Sequence, residues 1–206
     1  MLEARQLQCV RGARRLFDSV NFTLARGEAV RVAGANGAGK TSLLRLVCGL
    51  ARPEAGEILF DGLAINVDRD QFHAKLSYLG HGNALKDDLT PIENLRYALA
   101  AHSNYPDDAT LHSALEQRGL ARIAQLPVKL LSQGQKRRVA LAQLEFCTTR
   151  PLWILDEPFT ALDAHAIAAL ALSMGAHVAG GGLLLFTTHQ DVELPGVRAR
   201  TLALNG

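Results

Sequence analysis

The sequence predicts an α/β fold, and three patterns predict it. The strand-like segment Ala29–Ala33 leads into a glycine-rich loop, and residues 41–50 then have the pattern of a helix. Two apolar runs downstream, Leu152–Leu155 and Leu183–Thr187, are typical of strands covered on both faces. The intervening chain has helical character. We therefore expect residues 1–206 to form one domain, with an inserted helical subdomain at about 85–148.

Shorter patterns predict the remaining elements. Residues 16–24 alternate like a strand, and residues 53–62 read as turn, strand and turn. Thr90 is placed to cap a helix that opens at Pro91, a second helix is expected at 110–118, and 102–108 is expected to be a loop. Residues 164–186 are rich in Ala and Leu, but three glycines at 180–182 divide them into a helix and a strand, and neither piece reaches the ~20 residues of a bilayer span.

Composition and charge indicate an ordinary globular chain. Apolar residues make up 48% of the 206 residues and charged residues 20%, and the formal net charge of +2 is too small to indicate nucleic-acid binding. No secretory signal is expected at the N-terminus. Cys9, Cys48 and Cys147 have no C-x-x-C spacing, so we expect small core residues in a reducing compartment, the cytosol, and neither a disulfide nor a zinc site.

The glycine-rich loop matches the pattern G-x-x-x-x-G-K-T in full. Glycines allow backbone N–H groups to turn inward around phosphates, Lys40 adds positive charge, and the helix N-terminus adds its dipole. Thr41 supplies a hydroxyl suited to Mg²⁺. The predicted nucleotide-binding residues of this loop are Gly34, Ala35, Asn36, Gly37, Ala38, Gly39, Lys40, Thr41 and Ser42.

Two acids follow the apolar run Leu152–Leu155. Ligands of α/β folds bind at the C-terminal edge of the sheet, so Asp156 is placed to hold Mg²⁺, directly or through water. Glu157 is placed to polarise the attacking water as a general base. A helix-capping acid pair is the alternative interpretation.

A third element precedes a basic, apolar helix pattern and consists of Leu131, Ser132, Gln133, Gly134 and Gln135. This near-LSGGQ segment, together with the phosphate loop, resembles the signature of the ATP-binding-cassette (ABC) ATPases. The resemblance implies a P-loop NTPase (RecA-like) core with an N-terminal antiparallel β subdomain. It also implies that the five residues act on ATP held by a partner subunit, with Ser132 and Gly134 facing its γ-phosphate. Gln133 departs from the usual glycine, at a position that varies within the family.

Two further residues extend the resemblance. Asp163 stands at the spacing of the family's D-loop, which contacts the other subunit, and His189 matches the switch histidine at a strand end. By resemblance His189 would touch the γ-phosphate and Glu157. A lone histidine is otherwise more often structural or merely exposed.

Two positions besides Gln133 depart from the family pattern. His81, after Tyr78-Leu79-Gly80, stands where the family usually has a glutamine that senses Mg²⁺ and water and connects to the membrane partner. A slightly shifted loop with His81 facing solvent is the alternative. Arg11 stands where an adenine-stacking aromatic is expected, and its guanidinium plane can stack on a base.

The sequence combines these departures with the segments C-V-R-G, L-F-D-S-V-N-F-T-L and G-Q-K-R-R-V-A-L-A. In this combination it is similar to the ATP-binding subunits of the bacterial cytochrome c maturation transporter. The resemblance implies an ATP- and Mg²⁺-dependent ATPase that works as a homodimer or with a similar ATPase. Its partners would be the integral Ccm membrane subunits at the cytoplasmic face of the inner membrane, and its work would support haem delivery to the periplasmic haem chaperone.

No haem-ligand pattern is evident in the sequence. Two other functions stay open at this point. One is the ATPase of another small exporter or importer. The other is an ABC protein without a membrane partner that acts on ribosomes or DNA, although such proteins usually carry two cassettes or long inserted arms.

Overall fold

Five parallel strands form the central sheet of this computed structural model, which describes residues 1–101 and 103–204. The sheet order is β6 (Leu76–Leu79), β7 (Leu152–Leu155), β8 (Leu183–Thr187), β3 (Ala29–Ala33) and β9 (Arg200–Ala203). Every residue of β7 and β8 is buried, as their continuous apolar runs predict. Because β3 and β7 are parallel strands of one sheet, the segments that follow them leave at the same edge.

A second, antiparallel sheet contains the N-terminal strands of the described residues. Its order is β2 (Arg14–Leu24), β1 (Leu2–Arg11), β4 (Ala55–Phe60) and β5 (Leu63–Ala64). The sequence pattern predicts β2 and β4 but misses β1. The reason is irregular pairing: the register of β1 shifts three times against β2, and Gln6 has a positive φ of 50°. These irregularities interrupt the two-residue alternation that marks a strand.

Six α-helices lie in the described residues. They are α1 (Lys40–Val47), α2 (Arg69–Ala74), α3 (Pro91–Ala100), α4 (Asp108–Gln117), α5 (Gln133–Ala142) and α6 (Ala164–Ala179). Short 3-10 turns add Ala121–Ile123, Val128–Leu130 and Gln143–Phe146. The helix α1 stops before the predicted residue 50 because Gly49 turns the chain with a φ of +70°. Of the predicted loop 102–108, His102 lies outside the described residues.

Side-chain caps set the starts of α3 and α4. The hydroxyl of Thr90 accepts from the N–H of Glu93, and the Glu93 carboxylate accepts from the N–H of Thr90, which confirms the predicted cap. Helix α4 begins two residues before the predicted 110 because the carboxylate of Asp107 accepts from the N–H of Thr110 at 2.9 Å.

The helices of the segment 85–148 pack around a hydrophobic cluster of their own, which includes Leu95, Leu111, Leu115 and Val139. Two other clusters pack against the sheets. The cysteines Cys9, Cys48 and Cys147 are all buried in the sheet clusters and unpaired. Among the residues described, no helix is long and apolar enough to cross a bilayer.

Candidate functional site

The phosphate loop joins β3, which lies between β8 and β9, to helix α1. Gly37 and Gly39 adopt left-handed φ values of 81° and 96°, which side chains rarely allow. A Cβ on Gly39 would also lie 3.0 Å from the Phe17 ring of β2, so both backbone shape and packing require glycine there. The ammonium of Lys40 lies over the loop and donates to the carbonyls of Gly34 at 2.8 Å and Ala35 at 3.2 Å.

Thr41 and Asp156, which the sequence predicts as Mg²⁺ ligands, lie together at the carboxyl edge of the sheet. The Thr41 hydroxyl donates to Asp156 Oδ2 at 2.8 Å, and Asp156 is 1% exposed. Its second oxygen, Oδ1, accepts from the hydroxyl of Thr187 at 2.7 Å. The hydroxyl of Thr41 and the carboxylate of Asp156 are hard oxygen ligands, so this donor set fits Mg²⁺ bound together with substrate phosphates.

Glu157, the residue after Asp156, lies beside His189. The backbone N–H of His189 donates to Glu157 Oε2 at 3.2 Å, and its Nε2 lies 3.4 Å from Oε1. The Glu157 side chain is 14% exposed and the His189 side chain 56%. Glu157 Oε1 is buried and accepts no hydrogen bond from the described residues. Its lone pairs are therefore not used by any donor among the described residues.

The backbone of Glu157 is strained and held from both sides. Its φ of 49° lies in the left-handed region, which is costly for a residue with a Cβ. Its N–H donates to the Thr187 hydroxyl at 2.8 Å, and its carbonyl accepts from Arg137 Nη2 at 2.8 Å. Sequence reasoning missed both holding residues. The run of basic residues at 136–138 and the threonines before His189 are the only signals of them that the sequence contains.

The near-LSGGQ segment starts helix α5. Ser132 is the N-cap: its hydroxyl accepts from the N–H of Gln135 at 3.2 Å, and Gln135 Oε1 accepts from the N–H of Ser132 at 2.8 Å. Leu131 is buried, while Ser132 and Gln133 are exposed. A Cβ on Gly134 would lie 2.5 Å from the carbonyl oxygen of Ala161, so this glycine lets the helix contact the loop before Asp163.

That loop and its acid have their own local structure. Ala161 has a positive φ of 62°, and Asp163 caps helix α6 by accepting from the N–H of Ala166 at 2.8 Å. No hydrogen bond among the described residues joins the near-LSGGQ segment to the phosphate loop of the same chain.

Arg11 and His81 are both exposed. Burial raises the pKa of the Cys9 thiol, and the nearby Ser42 hydroxyl and Arg11 charge oppose that rise. Arg14, the first residue of β2, also lies near the phosphate loop, and sequence reasoning did not single it out. Its Nη1 is 3.9 Å from where a Cβ on Gly37 would be. His81 lies in the segment after β6.

The fold and the site define an ATP-binding-cassette ATPase. Residues 17–160 match the ABC transporter family. A solved structure described as the ATP-binding subunit of an ABC transporter superimposes with a TM-score of 0.79 at 30% identity, over 91% of this chain and 79% of that one.

Closer relatives narrow the class. The cytochrome c biogenesis ATP-binding export protein CcmA of Dechloromonas aromatica is 54% identical over 99% of this chain and 100% of that protein. The protein of the same name from Aromatoleum aromaticum is 53% identical over 93% of this chain and 89% of its own length. The chain therefore belongs to the CcmA family of cytochrome c biogenesis ATP-binding export proteins.

Proposed function

We propose that this chain hydrolyses ATP as one of two identical subunits in a membrane transporter complex. The observation that carries the proposal is the convergence of Thr41, Asp156, Glu157 and His189 at the edge of the sheet beside the phosphate loop. The amides of the loop and the ammonium of Lys40 would bind the β- and γ-phosphates.

The chain's own residues account for the hydrolytic step. Glu157 orients a water molecule toward the γ-phosphorus and accepts its proton as the new P–O bond forms and the bond to the β–γ bridging oxygen breaks. His189 holds the Glu157 carboxylate through its N–H and faces the same space with its ring. Thr41 and Asp156 would hold Mg²⁺, which neutralises charge on the phosphate oxygens.

A second copy is needed to complete each site. The residues Leu131, Ser132, Gln133, Gly134 and Gln135 would cover the ATP bound to the partner's phosphate loop. Ser132 and Gln133 are exposed and therefore available to a partner, and Gly134 ties them to the loop before Asp163. Arg11 would stack on the adenine base.

The proposed transport role rests on the family to which the chain belongs. We propose that the dimer binds the integral Ccm membrane subunits at the cytoplasmic face of the bacterial inner membrane, with His81 and the helices of 85–148 on the contacting side. ATP binding and hydrolysis would then support haem export and delivery to the periplasmic haem chaperone.

Gene replacement tests the proposal. A strain lacking this gene should fail to accumulate c-type cytochromes, measured by haem staining of gels, because haem delivery requires the transporter. A plasmid with the wild-type gene should restore them, and one encoding Glu157→Gln should not. Glu193→Gln, which changes an exposed acid, is the matched control and should restore them. Normal cytochromes in the deletion strain would rule out the haem pathway.

A further inference from the structure

Arg137 lies on the first turns of helix α5, five residues after Ser132, and is 3% exposed. A guanidinium buried to this degree must have its donors satisfied, because an unpaired buried charge is strongly destabilising. Burial lowers the pKa of Arg137, and the nearby charges of Asp156 and Glu157 oppose that effect. No carboxylate forms a salt bridge with it among the described residues.

Five acceptors surround the guanidinium. Nε donates to the carbonyl of Pro158 at 3.2 Å, and Nη2 donates to the carbonyls of Asp156 at 3.0 Å and Glu157 at 2.8 Å. Nη1 donates to the carbonyl of Gly80 and to Asn83 Oδ1, each at 3.1 Å. A guanidinium has five N–H donors in a fixed planar fork, so every donor of Arg137 is used.

These acceptors belong to two different segments. Three are consecutive backbone carbonyls that follow β7, and they include the left-handed Glu157. The other two flank His81 in the segment that follows β6. Because β6 and β7 are paired in the sheet, both segments leave at the same edge, and the side chain of Arg137 spans them. Helix α5 is thereby joined to both.

Neighbouring ion pairs attach the same segment to α5 and to the turn before it. Lys136 Nζ lies 3.1 Å from Asp87, and Lys129 Nζ lies 2.9 Å from Asp88. The Lys129–Asp88 pair is on the surface, where ion pairs contribute little free energy, and in the other pair Lys136 is partly buried while Asp87 is exposed. The buried contacts of Arg137 join this segment directly to the backbone of the site acids Asp156 and Glu157.

We propose that Arg137 is a positioning residue that holds the strained backbone of Glu157 in its catalytic geometry and links it to the segment around His81 and to the near-LSGGQ helix. A displacement of helix α5 or of the segment around His81 then changes the orientation of the Glu157 carboxylate. This inference rests on the proposed function, because it assigns the action of Arg137 to Glu157.

The test is the variant Arg137→Gln, measured beside Glu157→Gln and the double variant. Arg137→Gln should lower kcat by about 10- to 100-fold, since small misplacements of a catalytic group have effects of this size. The Kd for ATP, from titration with a fluorescent analogue, should stay within about twofold because Arg137 does not contact the phosphate loop. Arg138→Gln is the matched control on the same helix: within the described part of the chain Arg138 donates only to the carbonyl of Arg118, and kcat should be retained.

The double variant separates positioning from general damage. If Arg137 acts through Glu157, adding Arg137→Gln to Glu157→Gln should not reduce the residual single-turnover rate further. A purely structural role would instead lower ATP binding and thermal stability together and would act additively with Glu157→Gln. Additive losses, or an unchanged kcat in Arg137→Gln, would overturn the inference.

Two further measurements separate failure of this inference from misfolding of the variant and from failure of the proposed general base. If Arg137→Gln does not fold, Asn83→Ala removes a single acceptor from the loop side, and it should lower kcat with an unchanged Kd for ATP. Wild-type kcat in a folded Asn83→Ala would overturn the link to the His81 segment. If Glu157→Gln alone turned over normally, the proposed general base would fail, whatever the result for Arg137.

Discussion

Thr187 shows how a single hydroxyl organises the site at the residue scale. It donates to Asp156 Oδ1 at 2.7 Å and accepts from the N–H of Glu157 at 2.8 Å, and it is fully buried. One side chain therefore orients Asp156, the proposed Mg²⁺ ligand, and the backbone of Glu157, the proposed general base. No pattern in the sequence distinguishes this threonine from Thr188, because the distinction depends on which hydroxyl meets Asp156 and the N–H of Glu157 in the folded chain.

Replacing Thr187 by Val should lower both activity and stability. The change leaves the N–H of Glu157 buried without an acceptor, which costs about 1–3 kcal/mol, measured as the free energy of unfolding in urea. We expect kcat for ATP to fall about tenfold or more because both acids lose their orientation. Thr188→Val is the control, since the Thr188 hydroxyl accepts only from the N–H of Gln190 among the residues that the structure describes. Equal activities of the two variants would refute this role.

Helix α6 illustrates the element scale, since one of its faces packs on the central sheet. His177 stacks on Trp153 of β7, with ring centroids 4.1 Å apart and planes 7° from parallel. Burial lowers the pKa of His177 from its ordinary value of 6.5, against the raising effect of hydrogen bonds to the carbonyls of Leu183 and Pro151. The folded chain therefore favours the neutral ring.

This pKa shift predicts how stability depends on pH. The unfolded chain binds a proton at His177 more readily than the folded chain, so its contribution to stability is complete above pH 6.5 and is lost as the pH falls toward the lower folded pKa. The free energy of unfolding, measured at about pH 7.5 and about pH 5.5, should fall less in His177→Phe than in the wild type. His165→Gln, on an exposed position of α6, should keep the wild-type dependence. Identical pH profiles for all three proteins would contradict the assignment.

Local patterns predict the elements where the local signal agrees with the tertiary structure. The strand β3, the capped start of α3 and the buried strands β7 and β8 are examples. Sequence reasoning failed at β1, where bulges interrupt the alternation, and at β9, which is short and largely exposed. Thr41, Asp156, Glu157 and His189 could be placed because each ends or follows a recognisable element. Arg137 and Thr187 could not, since their roles arise from contacts between segments distant in the chain.

At the scale of the whole molecule, the two surfaces that would bind ATP lie on different parts of the chain. The phosphate loop leaves the central sheet, while the near-LSGGQ segment begins a helix of the segment 85–148. Gly134 and Ala161 connect the second surface to Asp163, and Arg137 connects it to Glu157. The proposal that ATP joins two copies thus gives one role to residues that the single chain leaves exposed.

The mass of Glu157→Gln with and without Mg-ATP, from light scattering during gel filtration, tests this claim most directly. The variant should bind ATP, hydrolyse it poorly and elute at twice the mass of the single chain, because trapped ATP is covered by Ser132 and Gly134 of the second copy. Adding Ser132→Arg should abolish that doubling while leaving ATP binding to the phosphate loop intact. A Glu157→Gln protein that binds Mg-ATP and still elutes as a single chain would contradict the account.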